Sequence, residues 1–227
     1  MLSDQFEFPG RIKGTLLDKY LEKGWYRTGC VIFTTHYLAP FDDGNKYRVY
    51  WLRYIVKNVQ PGSTAKKLLQ LNKGFTVSYR RFSLTAELDA LHKRYAASVK
   101  FAACNDLETI LVDIGNDIYD SYLIEVRDNG KLIGAGLLDL GNSSIEGIIN
   151  IYDPDYKKHS LGKYLILMKY RFCVAHNIPY YYPGYYMPEH PLFHYKLFLD
   201  IAATEVYVPE SNLWVGYDTF VAMELGH

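Results

Sequence analysis

The tetrapeptide Asp128-Asn129-Gly130-Lys131 constrains the fold of this chain more than any other short segment. Asn-Gly at the centre of a turn accepts the positive φ of a type I′ β-turn, whose twist matches that of two antiparallel strands. The flanking runs, Tyr119 to Arg127 and Lys131 to Leu140, read as those strands. Ser144 to Tyr152 extends the hairpin to a three-strand meander. Ser160 to His176 follows as a helix, with apolar residues at Leu161, Tyr164, Leu165, Met168 and Phe172. Ile178 to Tyr182 is then a short buried strand, followed by a Pro/Tyr-rich segment and Phe193 to Phe198.

Thr15 to Lys23 reads as a short helix and Cys30 to Leu38 as a strand. Pro40 to Asn45 is a turn, and Tyr47 to Val59 a long strand. Pro61-Gly62-Ser63 offers a break and a cap for a helix over Thr64 to Asn72. Phe75 to Phe82 is a strand, and Thr85 caps a helix with the stripe Leu88, Leu91, Tyr95 and Val99. Hairpin, strand, long helix and strand is the core order of the GNAT acyltransferase fold. The expected class is α/β (α+β), a mixed, mostly antiparallel sheet flanked by helices. Residues 1–45 are expected to form a helix-plus-strand segment packed on a GNAT-like domain of residues 46–227, or to merge with it into one compact domain.

The chain has 227 residues, 49% of them hydrophobic, enough for a sizeable core. No run reaches the roughly 18 apolar residues of a membrane span. Met1 to Glu7 has neither the basic nor the apolar region of a secretory signal. Cys30, Cys104 and Cys173 are far apart, with no C-x-x-C pair, which argues against a structural zinc site and for reduced thiols in the cytoplasm. Net charge is zero, but residues 46–100 carry twelve Lys/Arg against only Glu87 and Asp89. Such a split suits either an anionic partner or a solvated basic face. Of 22 tyrosines, six fall between Tyr180 and Tyr195.

The stretch Ile151-Tyr152-Asp153-Pro154-Asp155-Tyr156-Lys157-Lys158-His159-Ser160-Leu161-Gly162-Lys163-Tyr164 resembles the Y-D-P-D…S-L-G-x-Y signature of arginine-tRNA–protein transferases. Tyr180-Tyr181-Tyr182-Pro183-Gly184-Tyr185-Tyr186 resembles that family's Y-Y-x-G-[FY] segment, and His194-Tyr195-Lys196 its x-Y-K. Gly24-Trp25-Tyr26-Arg27-Thr28-Gly29 is similar to its G-W-R-R-x-G, and Ser83 to Tyr95 to its L-T-x-E…L-Y-x-R-Y helix. The chain departs from the pattern in two places. The N-terminal cysteine cluster of the family is reduced to Cys30, and the run before Lys196 lacks a cysteine. The resemblance therefore implies a short divergent member without a metal or redox role.

The implied reaction moves an amino acid, arginine for the family's name, from aminoacyl-tRNA to the α-amine of an acceptor beginning with an acidic residue. No cofactor beyond the aminoacyl-tRNA co-substrate is implied. The reaction needs positioning, an oxyanion donor and at most a modest base, because the ester is activated and the amine titrates near 7.7–8.0. Tyr181, Tyr182 and Tyr185 are candidate donors. Asp153 and Glu189 are candidates to fix or deprotonate the amine, and His159 and His194 candidate proton carriers. Arg27 and Lys196 are candidates for the acceptor's carboxylate, with Tyr195 beside them. Trp25, Tyr26 and the 180–186 cluster can stack on tRNA bases. Lys66, Lys67, Lys73, Arg80 and Arg81 can track the backbone, with Lys157, Lys158 and His159 at the helix start. Tyr164 replaces the small residue that lets a pyrophosphate approach in coenzyme A-dependent relatives.

Plainer roles stand beside each of these. Asp153 before Pro154 builds turns, tyrosine clusters pack cores, and lysines solvate faces. Two other readings remain open: a GNAT-like acyl-CoA N-acyltransferase, and a non-catalytic binding module.

Overall fold

The computed structural model describes residues 4–39, 41, 43–99, 107 and 117–225. Met1 to Ser3, Pro40, Asp42, Cys104 and Lys100, the last of the twelve basic residues counted over 46–100, lie outside them. No helix among the described residues is long and apolar enough to cross a membrane.

The chain begins with β1 (Gln5–Glu7), α1 (Thr15–Glu22), β2 (Tyr26–Thr28) and β3 (Val31–Thr34). Strands β1, β3 and β2 form a small sheet in that order. The strand expected over Cys30 to Leu38 is broken at Thr35, whose Oγ donates to the carbonyl of Tyr37 at 2.9 Å and turns the chain. Beyond the break, β4 (Tyr37–Leu38) pairs with β5 (Tyr47–Arg48) as a separate ribbon. The long strand expected over Tyr47 to Val59 is likewise divided. The chain leaves the ribbon at Val49, enters the main sheet as β6 (Tyr50–Ile55), and closes in a 3-10 turn over Val56–Asn58.

Then come α2 (Ser63–Leu71), β7 (Thr76–Arg81) and α3 (Ala86–Ser98). Thr85 caps α3 as expected, accepting the Leu88 N–H at 3.2 Å. Ser63 does not cap α2: it is the first helical residue, Gly62 holds the cap position, and no side chain bonds there. The meander is β8 (Ser121–Asp128), β9 (Lys131–Leu140) and β10 (Ser144–Tyr152), and its first turn places Asn129 and Gly130 at φ 47° and 87°. A 3-10 turn over Pro154–His159 leads into α4 (Leu161–Ala175) and β11 (Tyr180–Tyr186). A second such turn, Pro191–Leu197, precedes β12 (Thr204–Val208), β13 (Leu213–Gly216) and α5 (Tyr217–Leu225).

The main sheet has eight strands in the order β13-β12-β6-β11-β10-β9-β8-β7. Every pairing is antiparallel except β10 with β11, which are joined through α4. Meander, long helix and parallel strand thus stand in the expected GNAT-like order. Alternate residues of β9 serve opposite faces. Leu138 packs with Leu161, Leu165 and Met168 of α4, whereas Ala135 and Leu137 pack with Leu88 and Leu91 of α3. The N-terminal elements bury Leu17, Leu21, Tyr26 and Ile32 against Trp51, Tyr182 and Tyr207.

β11 runs further than the short strand read from sequence, across Pro183 and Gly184. A proline in a central strand is accommodated only at an irregularity. Here the register against β6 shifts between Tyr181 and Gly184, and Gly184 takes φ 94°.

Candidate active site

The parallel pair β10–β11 holds for three residues only: Ser144, Ile145 and Glu146 face Tyr180, Tyr181 and Tyr182. Beyond them the strands part. β10 continues against β9 to Tyr152, and β11 against β6 to Tyr186. Both carry a register shift at the parting point, between Gly147 and Ile149 on β10 and between Tyr181 and Gly184 on β11. A β-carbon on Gly147 would come within 3.1 Å of the Tyr181 ring, so glycine lets the wedge start there. A cleft outside the carboxyl ends of parallel strands is where open α/β sheets place ligands.

The wedge opens into two joined hollows. The inner one, about 230 Å³, is lined by the buried His92, Gly147 to Asn150, Lys169, Tyr181, Pro183 and Lys196. The outer one, about 350 Å³, is walled by Val99, Tyr152 and Leu192. Tyr95, Asn150, Tyr185, Phe193 and Tyr195 line both. Lys157, Ser160, Gly162 and Lys163 stand at the mouth, at the start of α4. Ser160 takes a left-handed conformation, φ 50°, and no side chain caps the helix, which leaves first-turn N–H groups for an anionic ligand.

Two lysines are buried in the inner hollow, Lys169 at 1% exposure and Lys196 at 8%. Burial lowers both to about 7, and for Lys169 the nearby Lys196 ammonium adds to the fall. Lys169 Nζ donates to the Ile149 carbonyl at 3.2 Å, and Lys196 Nζ to that of Tyr185 at 2.7 Å. Asn150 Oδ1 is buried and accepts no hydrogen bond. Burial raises the Tyr185 and Tyr195 hydroxyls, so both remain protonated donors at neutral pH.

The structure gathers Tyr181, Tyr185, Tyr195, Lys196 and Lys157 of the expected site residues around the cleft. It sends others elsewhere. Tyr182 points to the opposite face of the sheet, into the cluster of Tyr26 and Trp214. Trp25 packs half-buried and edge-on against Tyr20 in the same cluster. His194 and Glu189 line neither hollow; the first bonds the Pro188 carbonyl at 3.0 Å and the second is exposed.

Arg27 is not available to a substrate carboxylate. It is buried, pairs with Asp139 at 2.9 Å and stacks on Tyr119 at 4.1 Å. Asp153 takes the turn-building role. It accepts the Asp155 N–H at 3.1 Å and pairs with Lys131 at 2.8 Å and Arg94 at 3.3 Å, outside the cleft walls. Tyr164 does not crowd the helix start either, because its ring is buried in the core with Leu165 and Phe172.

Much of the basic stretch is neutralised. Arg80 pairs with Glu125 at 2.8 Å and Arg81 with Asp120. Arg48, Arg53, Lys93 and Arg94 are also ion-paired. Lys66, Lys67, Lys73 and Lys158 are exposed. The end of α2 is tied to the turn before α4: Asn72 Nδ2 donates to the His159 carbonyl at 3.1 Å, and Phe75 packs on the His159 ring.

Sequence reasoning missed Lys169, Lys163, Asn150, Tyr95, Tyr152 and Phe193. Lys169 carried a readable signal, standing eight residues after Leu161 and four after Leu165 on the buried stripe of α4.

The chain is 26% identical over 221 residues to the aspartate/glutamate leucyltransferase of Leptospira interrogans, covering 95% of this chain and 84% of the relative. It is 38% identical over 79 residues to arginyl-tRNA–protein transferase 1 of Saccharomyces cerevisiae, covering 35% of this chain and 15% of that protein. Among solved structures, FemX superposes with a TM-score of 0.46 at 10% identity, covering 74% of this chain and 59% of FemX. The model of the family described as arginine-tRNA-protein transferase, C terminus, matches residues 70–201. That is more than half of the sequence, and the chain belongs to the arginine-tRNA-protein transferase family.

Proposed function

We propose that this protein transfers leucine from a charged tRNA to the N-terminal α-amine of an acceptor protein. The carrying observation is the chemistry of the cleft. Its walls are Tyr95, Val99, Tyr152, Leu192 and Phe193, four lysines look into it, and no described residue lining it is acidic. An arginine side chain there would be a cation among cations without a carboxylate partner, a costly burial. An apolar side chain gains by losing contact with water. The Leptospira interrogans relative, which spans most of both chains, is itself an aspartate/glutamate leucyltransferase. Both observations support leucine over the arginine that the sequence resemblance implies.

In this reading the amine nitrogen of the acceptor attacks the ester carbonyl carbon. The new C–N bond forms, the C–O bond to the ribose breaks, the amine gives up a proton and the ribose oxygen gains one. Tyr185 and Tyr195 line both hollows and stay protonated. They are the donors for the oxyanion of the tetrahedral intermediate. Lys157, Lys163 and the start of α4 take the last phosphates of the tRNA. Lys158 in the turn before α4, Lys73 just after α2, and Lys66 and Lys67 on α2 continue that path. Affinity for charged tRNA then falls steeply with salt, and a salt-independent affinity removes this path.

The test is transfer of radiolabelled amino acid from leucyl- or arginyl-tRNA to peptides beginning with Asp, Glu or Lys. Leucine transfer to the acidic peptides supports the reading. Arginine transfer alone overturns the donor assignment. No transfer from either, with acyl-CoA-dependent acylation instead, overturns the reaction class.

A further inference from the structure

We propose that Lys169 and Lys196 together clamp the side-chain carboxylate of the acceptor's first residue in the inner hollow, making them the pair that selects Asp and Glu. The proposal rests on the transfer reading above and adds the groups that choose the acceptor.

The two lysines come from unrelated elements, α4 and the 3-10 turn over Pro191–Leu197, yet line the same hollow. Each ammonium is held toward a different wall of the wedge. Lys169 donates to a carbonyl of β10 and Lys196 to one of β11. Neither carries a salt bridge to a described acid. Asp139 is engaged by Arg27, and Glu146 accepts the Arg27 backbone N–H at 2.7 Å. Two lysines buried side by side, with the nearby acids Asp139 and Glu146 engaged elsewhere, resist carrying charge together. Their juxtaposition fits an anion that arrives with the substrate.

The hollow narrows the choice of anion. It starts at Gly147 and Tyr181, where the strands part, and shares Tyr95, Tyr185 and Tyr195 with the outer hollow. Its 230 Å³ suits a short side chain, whereas a nucleic-acid phosphate meets the mouth lysines first. A carboxylate held between Lys169 and Lys196 leaves the α-amine of the same residue beside Tyr185 and Tyr195, where the two hollows meet. The outer hollow then holds the aminoacyl ester. Arg27, the arginine that the sequence offered for this task, is replaced by a lysine within the long helix.

The experiment uses the full chain with peptides that begin with Asp or with the isosteric Asn. Initial rates are measured with charged tRNA, and peptide binding by calorimetry without it. Wild type, Lys169→Met and Lys196→Met are compared after thermal melts establish that each folds. The expected result is a KM and a Kd for the Asp peptide raised at least about thirtyfold in each variant, with the Asp-over-Asn preference lost. Folded variants that keep the wild-type preference overturn the proposal.

If the Met variants fail to fold, calorimetry of the wild type in buffers of different ionisation enthalpy decides. At pH 8 the Asp peptide should bind with net proton uptake, as the lysines charge against the carboxylate, and the Asn peptide with none; equal uptake overturns the clamp. Failure of the reaction class gives a different pattern. Wild type then transfers nothing from any charged tRNA, while Asp-peptide binding that depends on both lysines still upholds the clamp.

Discussion

Lys196 Nζ sits 2.7 Å from the Tyr185 carbonyl oxygen and 4.4 Å from the centre of the same residue's ring. Backbone and side chain of Tyr185 thus hold the ammonium together, while the ring lines both hollows. Tyr185→Phe keeps this packing and removes only the hydroxyl. If that hydroxyl serves the oxyanion, kcat falls by roughly a hundredfold or more. The acceptor KM and the melting temperature stay near wild type. Steady-state kinetics and a melt test it, and an unchanged kcat removes Tyr185 from the chemistry.

Arg27 and Asp139 form a pair whose side chains are essentially inaccessible. Arg27→Ala leaves a carboxylate buried without its cation, a loss of about 3–5 kcal/mol. Urea unfolding should report it as a lower midpoint. A variant as stable as wild type but with a raised acceptor KM would return Arg27 to substrate binding.

Asp153→Ala should behave as the loss of a turn and two ion pairs to half-exposed partners, Lys131 and Arg94. The cost in stability is about 1–2 kcal/mol. Where the variant remains folded, its kcat should stay close to wild type. A hundredfold loss of kcat with an unchanged melt would show that the residue reaches the chemistry after all.

Burial, with Asp139 nearby, pushes the Glu146 carboxyl up to about 8. The folded protein then keeps a proton that the unfolded chain releases near 4.5. This contribution to stability is complete below pH 4.5 and is lost as pH rises through about 8. Lys169 and Lys196, lowered to about 7, act oppositely: the unfolded chain binds the extra protons between about 7 and 10.5. Glu146→Gln should therefore gain stability relative to wild type as pH increases from 5 to 8. Parallel melting curves for the two proteins across that range would contradict it.

The main sheet was legible because its signals are local. Asn129-Gly130 dictates its own turn, and the meander and long helix follow by periodicity. The segments over Cys30 to Leu38 and Tyr47 to Val59 each divide between two sheets, and residue type does not reveal where a chain changes sheet. β11 is longer than its sequence implies because Pro183 signals a stop, and only its neighbours provide the bulge that tolerates it. The site shows the same divide. Tyr185, Tyr195 and Lys196 stand in a recognisable run beside the cleft. Arg27 looked like a ligand hand because its partner Asp139 is 112 residues away in sequence. Lys169 is the charged member of an otherwise apolar stripe, and helical periodicity alone assigns such a position to packing.

The gap between β10 and β11 is made by main chain parting at two bulges, with side chains only papering its walls. Recognition and architecture are therefore separable in this molecule. Exchanges at Tyr95, Val99 or Leu192 can retailor the space offered to the incoming amino acid without closing the opening that admits it. A frame of this kind can change the residue it delivers by altering a few wall positions and leaving the hydrogen-bond ladder intact.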